Sequence, residues 1–288
     1  MLTHLPLLNE WRLRHASTGG TDSSRYCYRV WLTHLAALAP HGFRIKEAHV
    51  GELGPGDSIG TGLASLLSGA DSYAGFDVVP FSRKADLERI FRDLIQMFSS
   101  RERTPGVREL PDETIDWAGL PHKAEKIANE LRSGINGTGF IGYHAPWTSP
   151  EVICAASLDL VFSHCVLEYV DPLSKIYQTM YCWLKPGGYS SHYIALNAHY
   201  LSPFWNGHWS YSDWQWRLLC GRRPISLNRE PLSTHLKGVE ETGFQILEVR
   251  RAYGQGGLET PALSLRFQSL DSEDLRTCGA MLILRKPV

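Results

Sequence analysis

The sequence lacks most features that mark a specialised chain. Its six cysteines, Cys27, Cys154, Cys165, Cys182, Cys220 and Cys278, never form a C-x-x-C pair. That excludes the usual spacing of a structural zinc site and favours reduced thiols over a short disulfide framework. No apolar run approaches the roughly 18 residues of a membrane span. The apolar patch at Leu5–Leu8 is short and broken by Pro6, so neither a membrane partner nor a signal peptide is expected. Excess charge of one sign is absent too. The 29 basic residues face 30 acidic ones, which argues against a general polyanion surface and against nucleic acid as a partner. Repeats and low-complexity segments are missing. The expectation is a cytoplasmic protein with a single large domain, because 288 residues with 43% hydrophobic and 20% charged content can bury a sizeable core. Oligomeric state stays open, a homodimer included.

What is present is an alternation of strand and helix patterns. Residues 1–47 read as a helical segment, with the apolar positions of "RYCYRVWLTHLAALAP" ending at Pro40. Ala48–Leu53 reads as a buried strand, Gly60–Ser68 as a helix and "SYAGFDVVP" as a second strand. Residues 82–138 are richer in charge and predict two or three helices, an insertion over one side of the sheet with the character of a lid. Strands follow at "GFIGYHAP", "LDLVFSHC" and "YSSHYIAL". Between the last two lies a helix over "DPLSKIYQTMYCWL", stopped by "KPGG". A helix at "LSTHLKGVEETG" and strands at "FQILEVRRAY" and "AMLILRKP" complete the chain. This order predicts an open α/β sheet, mostly parallel with an antiparallel edge, and helices on both faces.

In such sheets a ligand sits beyond the carboxyl ends of the strands. Gly54 permits a tight turn there, and Gly56 lets the backbone approach a ligand. The helix behind them offers free N–H groups. Asp77 follows Gly56 by 21 residues, at the end of the second strand, where an acid can accept hydrogen bonds from ribose hydroxyls. A dinucleotide fingerprint requires glycine where Ile59 stands; Gly60 is one step late. A dinucleotide-dependent oxidoreductase is therefore the second reading.

The segments "ELGPGDS" (Glu52–Ser58), "GFDVV" (Gly75–Val79), "LDLVFSHCVLEYV" (Leu158–Val170) and "LKPGG" (Leu184–Gly188) occur in this order. Together they resemble the class I S-adenosylmethionine (SAM)-dependent methyltransferases, with Ser58 in place of the third glycine of E-x-G-x-G-x-G. The resemblance implies a Rossmann-like fold and SAM as cofactor. Carried over residue by residue, it places Glu52, Gly54, Pro55, Gly56 and Ser58 at the methionine half of SAM and Asp77 with Val78 at the ribose. It places Ala145 near adenine, with Trp147 as a stacking wall, and Ser163 and His164 beside the sulfonium. The same motifs also suit a SAM-binding protein that senses the ligand or catalyses something other than methylation.

Methyl transfer needs an aligned, dry site, and a hydroxyl acceptor also needs a base. His199 is the preferred candidate and His164 the second, with His192 further off. A metal site from His192, His199 and His208 matches no ligand spacing. Residues 198–232 read as a substrate-side cap, in which Trp205, Trp209 and Arg217 would grip the acceptor. The same residues equally suit an amphipathic helix anchored by its tryptophans. Glu168 reads as a helix N-terminal acid. The expected acceptor is a small molecule, a sugar, glycan precursor or secondary metabolite, methylated at oxygen in preference to nitrogen or carbon.

Overall fold

A computed structural model describes residues 20–83, 85–135, 139–223 and 225–288; the helix expected within residues 1–19 lies outside them. Among the described residues, seven strands form one sheet in the order β3-β2-β1-β4-β5-β7-β6. They are β1 (His49–Leu53), β2 (Ser72–Phe76), β3 (Ile141–His144), β4 (Leu158–His164), β5 (Leu184–Ala195), β6 (Gln245–Tyr253) and β7 (Thr277–Arg285). The pairs among β1 to β5 are parallel, and β7 runs antiparallel to both β5 and β6. The fold is a Rossmann-like open sheet, with its antiparallel element in the β7–β6 pair at one edge. Strand order reverses between β1 and β4, which is where such sheets open a crevice.

Strand β7 shows why its apolar run is continuous. Met281 and Ile283 enter the core on one face of the sheet, while Ala280, Leu282 and Leu284 enter the core on the other. A strand covered on both faces has no polar side to alternate with. On the first face pack α1 (Ser24–Leu38), α2 (Gly60–Leu67), α3 (Leu87–Ser99) and α4 (Leu120–Ser133); on the second pack α5 (Leu173–Trp183) and α7 (Leu232–Thr242). Helix α1 begins where the Ser23 hydroxyl accepts the Tyr26 N–H, and α3 where the Asp86 carboxylate accepts the Arg89 N–H. Helices α3 and α4, from residues 82–138, drive Ile90, Phe91, Leu94, Phe98 and Ile127 into the same core as α1 and α2. The LKPGG segment begins β5 itself, with a register irregularity opposite Leu158–Leu160.

A small satellite core of Trp209, Leu263 and Phe267 lies under residues 198–232. It binds that segment to the loop between β6 and β7. Asn206 donates to Leu258 O and accepts from Leu258 N–H, and Ser264 N–H donates to Trp209 O. The exposed helix α6 (Asp213–Cys220) belongs to this segment.

Gly62 of α2 faces the ring of Tyr73 in β2 so closely that a Cβ would overlap it, and the ring cannot swing away because Tyr73 is buried and bonded. Alanine adds helix propensity of ~1 kcal/mol, but the overlap costs about 1–3 kcal/mol. Gly62→Ala is expected to be net destabilising in chemical denaturation.

Candidate active site

The turn after β1 is built around two glycines in the left-handed region, Gly54 at φ +63° and Gly56 at φ +73°. A Cβ on Gly54 would fall 2.6 Å from Val166 Cγ2, so the loop after β4 packs directly on this turn. Gly54 N–H donates to Phe76 O at 2.8 Å, and Gly56 N–H donates to the Asp77 carboxylate at 3.3 Å. The other Asp77 oxygen accepts from Val78 N–H at 2.8 Å and Val79 N–H at 3.4 Å. The tip of β2 is thus bound to the turn of β1 through the carboxylate that the sequence reading assigned to a ribose.

Beneath the turn Glu52 is buried, accepting the Tyr73 hydroxyl at 2.6 Å. Burial pushes its pKa up to about 8, with Asp77 adding to the rise. Burial likewise lifts Asp77 to about 6, against three backbone donors that hold it down, and Asp57 adds to that rise. Three acids therefore share the strand tips, and the ionised group acting on each of the two shifted ones is another acid.

Several expected positions are engaged inside the protein. Ser58 is fully buried; its hydroxyl accepts Gly60 N–H at 2.9 Å and donates to Thr21 O, which ties α2 to the segment before α1. Pro55 is buried, Val78 is 55% exposed at the rim, and Ala145 is half-buried. Trp147 N–H donates to Asp77 O at 3.0 Å, while its ring packs on Phe76 and Trp183. The Ser163 hydroxyl pairs with His192 Nδ1 at 2.8 Å, and His192 Nε2 lies 2.6 Å from Ser190 Oγ. Burial lowers His192 to about 3, so it stays neutral within the core.

His164 points to the opposite face. Its Nδ1 lies 3.2 Å from His34 Nε2, and His34 Nδ1 lies 2.7 Å from Ser191 Oγ, a buried polar chain reaching the end of β4. The ring stacks on Tyr193 at 4.9 Å and meets Tyr26 edge-on at 6.2 Å. Burial lowers His164 to about 4.

His199 lines a cleft of about 560 Å³ with Asn197, Tyr200, Trp205, Tyr253 and Gln255. Trp209 and Arg217 are not among its lining residues. Trp209 is buried, donating from Nε1 to Arg229 O at 3.0 Å and stacking on Phe267, and Arg217 lies exposed on α6. Glu168, whose place in the sequence reads as a helix N-terminal acid, has a different environment from the one that reading implies. It sits in a single 3₁₀ turn (Leu167–Tyr169), buried, with burial pushing it up to about 8 and backbone N–H groups of Glu168 and Ala195 opposing. Its one signal in the sequence is an acid set among apolar residues in "VLEYV". Among the described residues no group of three His, Cys, Asp or Glu side chains could hold a metal ion. No helix there is long and apolar enough to cross a membrane.

No family model and no curated protein matches the chain. Among solved structures it is similar to a SAM-dependent methyltransferase from Mesorhizobium loti, at 14% identity over 86% of this chain and 95% of that one, with a TM-score of 0.44. A second, from Methanosarcina mazei, shows 14% identity over 87% and 97%, with a TM-score of 0.44. The cyclase SpnF shows 13% identity over 88% and 80%, with a TM-score of 0.41. At these identities and TM-scores the likeness assigns no reaction to this chain.

Glu52 holds its proton more tightly in the folded chain than in the unfolded one. Its contribution to stability is therefore full at acid pH and is lost as pH rises toward about 8. Glu52→Gln is expected to flatten the fall in unfolding free energy between pH 5 and about 8 by up to ~1.4 kcal/mol per pH unit, measured by denaturant titration at both pH values.

Proposed function

We propose that the chain is a SAM-dependent methyltransferase acting on a small molecule at a hydroxyl oxygen. The observation that carries this is the trio Glu52, Asp57 and Asp77 at a glycine turn where strand order reverses, with each shift in Glu52 and Asp77 increased by another acid. A dinucleotide would bring a pyrophosphate to these acids, like charge against like charge. SAM carries a sulfonium and an ammonium, so the acids attract it, and its ribose hydroxyls suit a carboxylate at a strand tip. The donor set therefore fits SAM better than a dinucleotide.

Gly54, Pro55 and Gly56 would hold the amino-acid half of SAM, with Glu52 fixing the turn from below. Asp77 would bind the ribose, and the half-buried Ala145 with exposed Val78 would border the base. When bound, SAM supplies a methyl group that leaves sulfur as an acceptor atom attacks in line, the bonding electrons staying on sulfur. The chain's own task is alignment and exclusion of water. The cleft of about 560 Å³ beside Trp205 and Tyr253 suits a small acceptor, and His199 in its wall supplies the base that a hydroxyl requires.

An ionised Asp77 accepts hydroxyl hydrogen bonds more strongly than the protonated acid does. SAM affinity is therefore expected to weaken as pH falls through about 6 and to hold steady above it. Asp77→Asn should raise the SAM dissociation constant about 10- to 100-fold and abolish that pH dependence. Calorimetric titration with SAM and, in parallel, NAD checks this. Equal SAM affinity in the two proteins, or preference for NAD, overturns the assignment.

A further inference from the structure

Glu168 lies just past the end of β4 with 3% of its side chain exposed, and neither carboxyl oxygen has a hydrogen-bond partner of ordinary geometry. A buried acid left in this state is costly to keep. Facing it at 3.9 Å is Nε2 of His199, also buried and unpartnered. The His199 side chain is 28% exposed and forms part of the cleft wall, so the imidazole stands between the acid and the cleft. With Nε2 turned inward, Nδ1 is the nitrogen left for an acceptor. The ring is also held in place. Tyr169 stacks on it at 5.9 Å, and His199 takes φ +47° with its N–H donated to Asn197 Oδ1 at 2.9 Å.

Resting on the methyltransferase reading above, we propose that Glu168 is a positioning residue acting through His199, fixing the imidazole as an Nε2–H tautomer whose Nδ1 takes the acceptor's proton. The separation of 3.9 Å is one that closes to a hydrogen bond as the site fills. In the working form Glu168 is ionised and Nδ1 carries a free lone pair. The acceptor's O–H proton passes to Nδ1, and the oxygen's electron pair forms the new bond to carbon. The imidazolium so formed is stabilised by Glu168, and its extra proton leaves to water through the cleft once product departs.

Burial alone lowers the proton affinity of His199, which would leave it a weak base. A carboxylate behind the ring corrects this. The groups facing the pair are Tyr26 of α1, Cys165 and Tyr169 of the loop after β4, and Tyr193 of β5, all felt by Glu168, with His208 and Arg229 beyond His199. None of the four groups that Glu168 raises is a cation, and the group able to carry a positive charge that faces its carboxyl at 3.9 Å is His199.

The test needs no acceptor. The full chain, with ¹⁵N-labelled histidine, is titrated by NMR from about pH 5.5 to about pH 9, and the His199 signals are assigned by their loss in His199→Gln. The expected result is an Nε2–H tautomer and a His199 midpoint at least about one pH unit higher in wild type than in Glu168→Gln, a tenfold change in proton affinity. Equal midpoints, or an Nδ1–H tautomer, overturn the proposal. Should Glu168→Gln fail to fold, the Glu168 carboxyl carbon is followed in wild type and His199→Gln, because the coupling is reciprocal. A shifted midpoint supports the pair and an unshifted one overturns it. Calorimetry with SAM on the wild-type sample separates the two claims: no SAM binding defeats the methyltransferase reading, while the titration still decides the pair.

Discussion

Carboxyl groups gathered at the strand tips, each shifted one raised by burial and by another acid, are the constraint on which this molecule's site depends. Asp77 holds the turn of β1 to the tip of β2 through Gly56 N–H, and Glu52 sits directly beneath, its proton affinity raised by burial and by Asp77. Such an arrangement costs folding free energy. It is tolerable because backbone N–H groups and the Tyr73 hydroxyl solvate the acids.

The rest of the sheet serves to hold these groups still. Helices α1 to α4 cover one face and α5 with α7 the other, so each strand tip is fixed by packing from two sides. The histidines follow the same division. His34 and His164 form a polar chain on the α1 side, and His192 is locked between Ser163 and Ser190 within the sheet. All three are held neutral by burial. His199, set on a turn beyond β5 and reaching the cleft, is the one with both a buried nitrogen and an exposed side. That difference in position, more than any difference in type, separates His199 from the packing histidines.

Much of the fold was legible in the chain. The continuous apolar run of β7 states that both faces are covered, and Pro40 and Gly243 mark helix ends where the structure has them. The turn Glu52–Ser58 was legible because it is local, a matter of glycine geometry, whereas the bond from Gly56 N–H to the Asp77 carboxylate was not. The aromatic cap was not legible. Trp205 and Trp209 lie four residues apart and look alike in sequence, yet the first lines the cleft while the second stacks on Phe267, more than fifty residues later. No local pattern distinguishes them.

The amino-acid order alone determined where most strands and helices lie, the glycine turn after β1 and the acid that follows β2. Those features follow from backbone preference and from periodicities of two and 3.6 residues, which act over a few positions. Tertiary structure alone decided which polar residues are left without partners. Glu168 and His199 are 31 residues apart in the chain and 3.9 Å apart in space. Whether a carboxylate is solvated, paired or stranded depends on what the whole fold packs around it, and that cannot be read from its neighbours in sequence.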